Sequence, residues 1–83
     1  MKKEYLGTDG DFSVETRSKY YLVDGNLIVH SWGRKYKENP QKQIRKLSES
    51  LATLEKYRNH DDYYRTVAEI ENLIKNLKLN FGR

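Results

Sequence analysis

The chain reads as an α+β domain: an N-terminal antiparallel sheet of two to three strands, a meander, followed by an antiparallel helical hairpin packed on one sheet face. Three observations predict it. Two Asp-Gly pairs, Asp9-Gly10 and Asp24-Gly25, punctuate the first third of the chain. Apolar and polar residues alternate with period two between and beyond those pairs. From Asn39-Pro40 onward the apolar spacing lengthens to that of a helix.

Asp-Gly suits the two positive-φ positions of a type I′ hairpin turn. Between the two pairs, Asp11–Val23 holds no Gly or Pro. Phe12, Val14, Tyr20 and Leu22 fall on one face; Arg17, Lys19, Tyr21 and Val23 fall on the other. The segment reads as one long bent strand, or as two broken near Arg17-Ser18. Leu27–Trp32 is rich in the β-branched and aromatic residues that strands favour. A loop at Asp24-Gly25 pairs Leu22 with Leu27 and Tyr20 with Val29; a loop at Gly25-Asn26 pairs Leu22 with Val29. Both registers leave the same residues on the same face. Lys3–Gly7 adds a short edge strand through the first turn, and the sheet region spans about 3–36.

Asn39-Pro40 starts a helix, with Asn as N-cap and Pro at the first helical position. Ile44, Leu47, Leu51 and Leu54 then form a seam on a helix over about 40–58. Asn59-His60 breaks it. Asp61 or Asp62 caps a second helix, about 62–79, whose seam is Tyr63, Val67, Ile70, Ile74 and Leu77, with Leu73 widening the stripe. The apolar sheet face, Phe12, Val14, Tyr20, Leu22, Leu27 and Val29, covers what the hairpin leaves exposed.

The 83 residues fit a single domain, 1–83. Hydrophobic residues make up 36% and charged residues 34%, so the core must be thin and well placed. With no cysteine there is no disulfide framework or thiolate metal site. A domain this small without disulfides points to a cytoplasmic home. Met1–Leu6 has no signal-type apolar run, and no stretch approaches a membrane span. Abundant Lys, Asn, Tyr and Ile resemble the composition of small reading frames of phages and mobile elements in low-GC bacteria.

Net charge is +4, and it is localised. Residues 1–32 carry four Lys/Arg against five Asp/Glu, and residues 49–83 carry six of each. Residues 33–48 carry Arg34, Lys35, Lys37, Lys42, Arg45 and Lys46 against Glu38 alone. A concentrated surplus marks an anion-facing surface.

Catalytic chemistry is not apparent. His30 falls on a strand and His60 in the interhelical loop, and neither has a His or Cys at ligand spacing. His60-Asp61-Asp62 reads as helix capping in a solvated loop. There is no phosphate-binding glycine loop. The expectation is a non-enzyme with no cofactor and no metal.

The second sheet face is more informative. It collects Arg17, Lys19, Tyr21, Val23, Ile28, His30 and Trp32, and a continuing strand adds Arg34 and Tyr36. Rings stack on bases or sugars while cations meet phosphates, so such a face suits nucleic acid. The bland reading is that these are cross-strand pairs and amphipathic stems that stabilise the sheet. Through Lys19-Tyr20-Tyr21, the turn and Val29-His30-Ser31-Trp32, residues 17–58 resemble in architecture the small arm-type DNA-binding domains at the N-termini of some tyrosine integrases. The resemblance covers about half the chain and implies a three-stranded sheet that contacts the major groove; the second helix departs from that pattern.

The leading functional expectation is a binding module for DNA or RNA that uses Arg17, Lys19, Tyr21, His30 and Trp32 with the strip Arg34, Lys35, Tyr36, Lys37, Lys42, Arg45 and Lys46. The alternative is a phage- or mobile-element-encoded effector that binds and inhibits a host protein, such as a defence factor (anti-CRISPR-like) or a replication factor. Tyr, Trp and Arg also dominate protein interfaces. Monomer and homodimer are both compatible with the helical seams.

Overall fold

The computed structural model describes residues 3–9, 18–31 and 33–82. Four strands, β1 (Lys3–Thr8), β2 (Lys19–Val23), β3 (Asn26–Ser31) and β4 (Arg34–Glu38), form an antiparallel meander in the order β1-β2-β3-β4. Two helices follow, α1 (Pro40–Leu54) and α2 (Tyr63–Phe81), joined through a 3-10 turn at Glu55–Tyr57. The class is α+β, with four strands where the sequence predicts two to three.

The extra strand comes from Gly33. Its φ of +74° sits in a region that L side chains avoid, and the chain reverses there so that Ser31 pairs with Arg34. The stretch read as one strand continuing to Tyr36 is therefore two. The Asp24-Gly25 turn forms as expected. Both residues have positive φ, 51° and 80°, and the pairing is Leu22 with Leu27 and Tyr20 with Val29.

The Asp9-Gly10 turn extends beyond the described residues, but the pairing before it is described. A two-residue loop there would pair Thr8 with Asp11, whereas Thr8 pairs with Lys19. Asp9 instead closes the β1–β2 ladder against Ser18. Its carboxylate accepts from the Ser18 N–H (3.1 Å), and its own N–H donates to the Ser18 carbonyl (3.3 Å). Phe12, Val14, Arg17 and the proposed strand start at Asp11 lie outside the described residues.

The helices cover one sheet face. Leu6, Tyr20, Leu27 and Val29 from the sheet join Leu47 of α1 and Ile70, Leu73, Ile74 and Leu77 of α2 in one core, with Leu22, Ile44, Leu51, Leu54 and Phe81 packed around it. Antiparallel helix order brings the start of α1 to the end of α2, where Gln41 Nε2 donates to the Phe81 carbonyl (3.0 Å). Phe81 packs against the core. Asn39 caps α1 as expected, its Oδ1 accepting from the Lys42 N–H (3.1 Å). Asp62 occupies the α2 N-cap position without a side-chain cap bond; its carboxylate pairs with Arg65 (3.4 Å).

The inner line of α2 is shifted from the seam read off the sequence. Leu73 and Leu77 are fully buried, and Thr66 (1% exposed) replaces Val67 on the buried side. A helix that faces a sheet and a second helix together needs a wider stripe than a two-helix seam, and Leu73 becomes its centre. β1 makes room for it. The register slips between Tyr5 and Gly7, and a Cβ at Gly7 (φ +141°) would meet the Leu73 Cβ at 3.4 Å. Asn76 Nδ2 donates to the Leu6 carbonyl (2.7 Å) and fixes this close approach.

Candidate nucleic-acid interface

Strand pairing determines which side chains share the face turned away from the helices, uncovered among the described residues. Lys19, His30 and Lys35 are direct cross-strand partners, and Tyr21, Ile28 and Lys37 form the next row. Tyr5 pairs with Tyr21, and Lys3 with Val23, at the β1 end. Directly paired residues point to the same side of the sheet. The covered face takes the alternate set, with Tyr20, Val29 and Tyr36 in one row and Leu22, Leu27 and Glu38 in the next.

Three rings form a line across β1, β2 and β3. The Tyr5 and Tyr21 centroids are 5.4 Å apart, and those of Tyr21 and His30 are 4.5 Å apart. Both pairs are tilted, the geometry aromatic quadrupoles favour. Lys3 Nζ lies 4.3 Å from the Tyr21 centroid, within cation–π range. Lys19 and Lys35 flank His30 from either side. The imidazole is held below its ordinary range, mainly by partial loss of water and then by the positive charge of Lys3, Lys35 and Lys19. Those three lysines thus act on one ring, a sign that the surface gathers positive charge.

Charge is sorted by strand parity. Among the described strand residues, the uncovered face carries Lys3, Lys19, Lys35 and Lys37 and no carboxylate; Glu4 and Glu38 pair within the rows of the other face.

Of the residues singled out by sequence, Lys19, Tyr21, His30, Lys35 and Lys37 come together here. Arg17 and Trp32 lie outside the described residues. Arg34 and Tyr36 are corrected to the opposite face, because the Gly33 turn reverses the parity of everything after it. Lys42 and Arg45 are exposed on α1, part of the helical layer, and so are not gathered with the sheet lysines. Lys46 lines an open groove between α1 and the covered side of β3 and β4. The strip contiguous in sequence is therefore divided between two surfaces. Lys3 and Tyr5 were missed as site residues. Their alternation was readable, but their alignment with Tyr21 depends on the Gly7 bulge and on Thr8 pairing with Lys19.

The groove holds a different kind of polar chemistry. Tyr20 O–H donates to Gln43 Oε1 (3.3 Å), and Gln43 Nε2 donates to Glu38 Oε2 (3.3 Å). Burial, followed by the charges of Asp9 and Glu38, pushes the Tyr20 phenol well above its ordinary range. This relay joins β2, α1 and β4 and uses each group's hydrogen-bonding capacity structurally. At the interhelical loop, His60 Nδ1 accepts from the Asp62 N–H (3.1 Å), a turn-forming contact. Among the described residues there is no group of three or more His, Asp and Glu able to hold a metal, and no helix long and apolar enough to cross a membrane. Compared with family models, with curated proteins and with solved structures, the chain matches none.

Proposed function

We propose that the protein is a small nucleic-acid-binding module whose contact surface is the uncovered sheet face. The observation that carries this reading is the sorting of charge by parity: four lysines and no carboxylate on the described strand positions of one face, set around the Tyr5–Tyr21–His30 line. A fold that needed these lysines only as solubilising side chains would gain from interspersing carboxylates opposite them. Four cations with no carboxylate opposite them on the described strand positions repel one another, and bound phosphates relieve that repulsion. Phosphate contacts supply the affinity and release counterions, so binding weakens steeply with salt.

The test is fluorescence anisotropy on labelled DNA and RNA oligonucleotides between about 50 and 200 mM salt. Micromolar or tighter binding at low salt is expected, with a log–log salt slope corresponding to about two to four phosphates. Replacing Lys19 and Lys35 together by Ala reduces that slope, whereas replacing Lys42 and Arg45 on α1 leaves it nearly unchanged. Absence of micromolar binding at low salt to every oligonucleotide overturns the proposal.

A further inference from the structure

We infer that the outer edge of β4 takes up an extended protein segment in which acidic and apolar residues alternate, added to the sheet as a fifth strand. The two edges of the sheet differ. β1 is bulged between Tyr5 and Gly7, and Asn76 of α2 donates to the Leu6 carbonyl there. β4 is five residues long and pairs with β3 without a register shift, and Arg34, Lys35, Tyr36 and Lys37 are exposed. The chain reverses at Gly33 so that Ser31 and Arg34 close the hairpin. Across a two-residue loop the closing pair exchanges both backbone bonds, and every second pair repeats the pattern. Arg34, Tyr36 and Glu38 therefore turn their backbone N–H and C=O groups toward β3. Lys35 and Lys37 turn theirs outward, and no hydrogen bond among the described residues reaches them. Donors and acceptors left in a row along an edge are the template that strand addition uses.

The chemistry on either side of that edge specifies the occupant. An incoming antiparallel strand sets alternate residues directly opposite Lys35 and Lys37, on the lysine face, and the residue between them opposite Tyr36, on the helix side. Lys19 and His30 share a row with Lys35, and no carboxylate occupies the described strand positions of that face. Carboxylates are the complement there. On the helix side, an open groove separates α1 from β4, lined by Val29, Tyr36 and Leu54 together with Lys46, Glu38 and Glu49. Its charges are of both signs and favour no ionic group, while Tyr36, 40% exposed, offers its ring to an apolar side chain. A second copy of the chain is the poorer occupant. Antiparallel pairing of β4 with another β4 brings Lys35 opposite Lys37 twice, and like charges directly opposite destabilise a ladder. The lysines that deter self-pairing attract an acidic strand.

The experiment adds short synthetic peptides, capped at both ends, to the full chain at low salt and follows chemical shifts and amide hydrogen exchange by NMR. A peptide of alternating Glu and Val, beginning and ending on Glu, should bind saturably and slow exchange of the Lys35 and Lys37 amides about tenfold or more. N-methylation of its Glu nitrogens, which face β4, should abolish binding; N-methylation of its Val nitrogens, which face away, should leave affinity within about twofold. A Lys-Val peptide of equal length should not bind. Replacing Lys35 and Lys37 together by Gln should weaken the Glu-Val peptide about three- to tenfold, with circular dichroism checking that the fold persists. Amide exchange unaffected by the Glu-Val peptide overturns the inference, as does equal binding of the Glu-N-methylated or the Lys-Val peptide. So does slow exchange at both amides in the free protein, which would mean that the edge is already paired; a dimer in analytical ultracentrifugation would then place a second copy on it. These outcomes leave the proposed function standing, and a failure of oligonucleotides to bind leaves the β4 edge as described.

Discussion

Tyr20 and Tyr21 are consecutive residues of β2 with opposite environments. Tyr20 is 5% exposed, pointing under the helices, its hydroxyl engaged by Gln43. Tyr21 faces away, between Tyr5 and His30 and under the Lys3 ammonium. The same contrast holds across the sheet. The covered side gathers Leu6, Leu27 and Val29 with a satisfied polar relay, and the uncovered side gathers lysines and rings. One face is organised around burial and the other around charge that nothing on the strands opposes. The difference teaches that stability and binding should be separable here, residue by residue and strand position by strand position.

The largest expected effect lies on the covered side. Leu73 is fully buried, and its Cβ lies close to where a Gly7 Cβ would stand. Leu73→Ala should cost about 2–5 kcal/mol by lost burial and the cavity left behind. For a domain of this size that corresponds to a fall in Tm of roughly 10 °C or more. Urea unfolding followed by circular dichroism reads the loss. Oligonucleotide affinity of the folded fraction, measured at low temperature, should match the parent. A parallel loss of affinity would mean that the two faces are not independent.

A smaller effect is expected at the relay. Tyr20→Phe removes the donor to Gln43 and should destabilise by about 1 kcal/mol. The pH dependence gives a second readout. Burial raises the Tyr20 pKa, so the folded state holds its proton more tightly than the unfolded state. The associated stability is complete below the unfolded value of about 10 and declines as pH rises above it. Parent protein should therefore lose stability between about pH 10 and 11.5 more steeply than Tyr20→Phe. Equal slopes would show that the hydroxyl is better solvated than its position indicates.

The covered side was largely legible in the sequence, because burial imposes a period. Alternation identified Tyr20, Leu22, Leu27 and Val29, and helical spacing identified Leu47, Ile70 and Leu77. What it missed was Leu6, at the β1 bulge, and two polar residues. Gln43 and Thr66 are buried within the helical layer, and no hydrophobic pattern announces them. The uncovered side was legible only up to Ser31. Strand parity survives any register shift of two, so Lys19, Tyr21 and His30 were assigned together without knowledge of the exact pairing. It does not survive an added turn. Gly33 alone moved Arg34 and Tyr36 to one face and Lys35 and Lys37 to the other, and a lone glycine after Trp32 carries no hairpin signature as strong as Asp-Gly. At the other end, Asp9-Gly10 carries that signature, but Thr8 pairs with Lys19 and Asp9 bonds to Ser18. Local turn chemistry was outweighed there by the pairing of β1 with β2.

The smallest effect, and the sharpest probe of the uncovered face, is the titration of His30. Lys19 from β2, Lys35 from β4 and Lys3 from β1 surround it, with the Tyr21 ring alongside, and no carboxylate occupies the described strand positions of that face. In the free protein the imidazole is held below its ordinary range, by partial loss of water and then by the lysine charges. A bound phosphate offsets the lysine charges and favours the imidazolium, so binding raises the His30 pKa and takes up a proton. By linkage, affinity rises as pH falls through the bound-state value and levels off below the free-state value. A modest gain in affinity is expected between pH 7.5 and 5. Anisotropy titrations across that range measure it, and NMR of the imidazole with and without oligonucleotide follows the proton directly. His30→Gln should flatten the dependence while retaining most of the affinity at pH 7.5. A pH dependence that persists in His30→Gln would place the responsible group elsewhere and would separate the ring line from the phosphate contacts it is held to share.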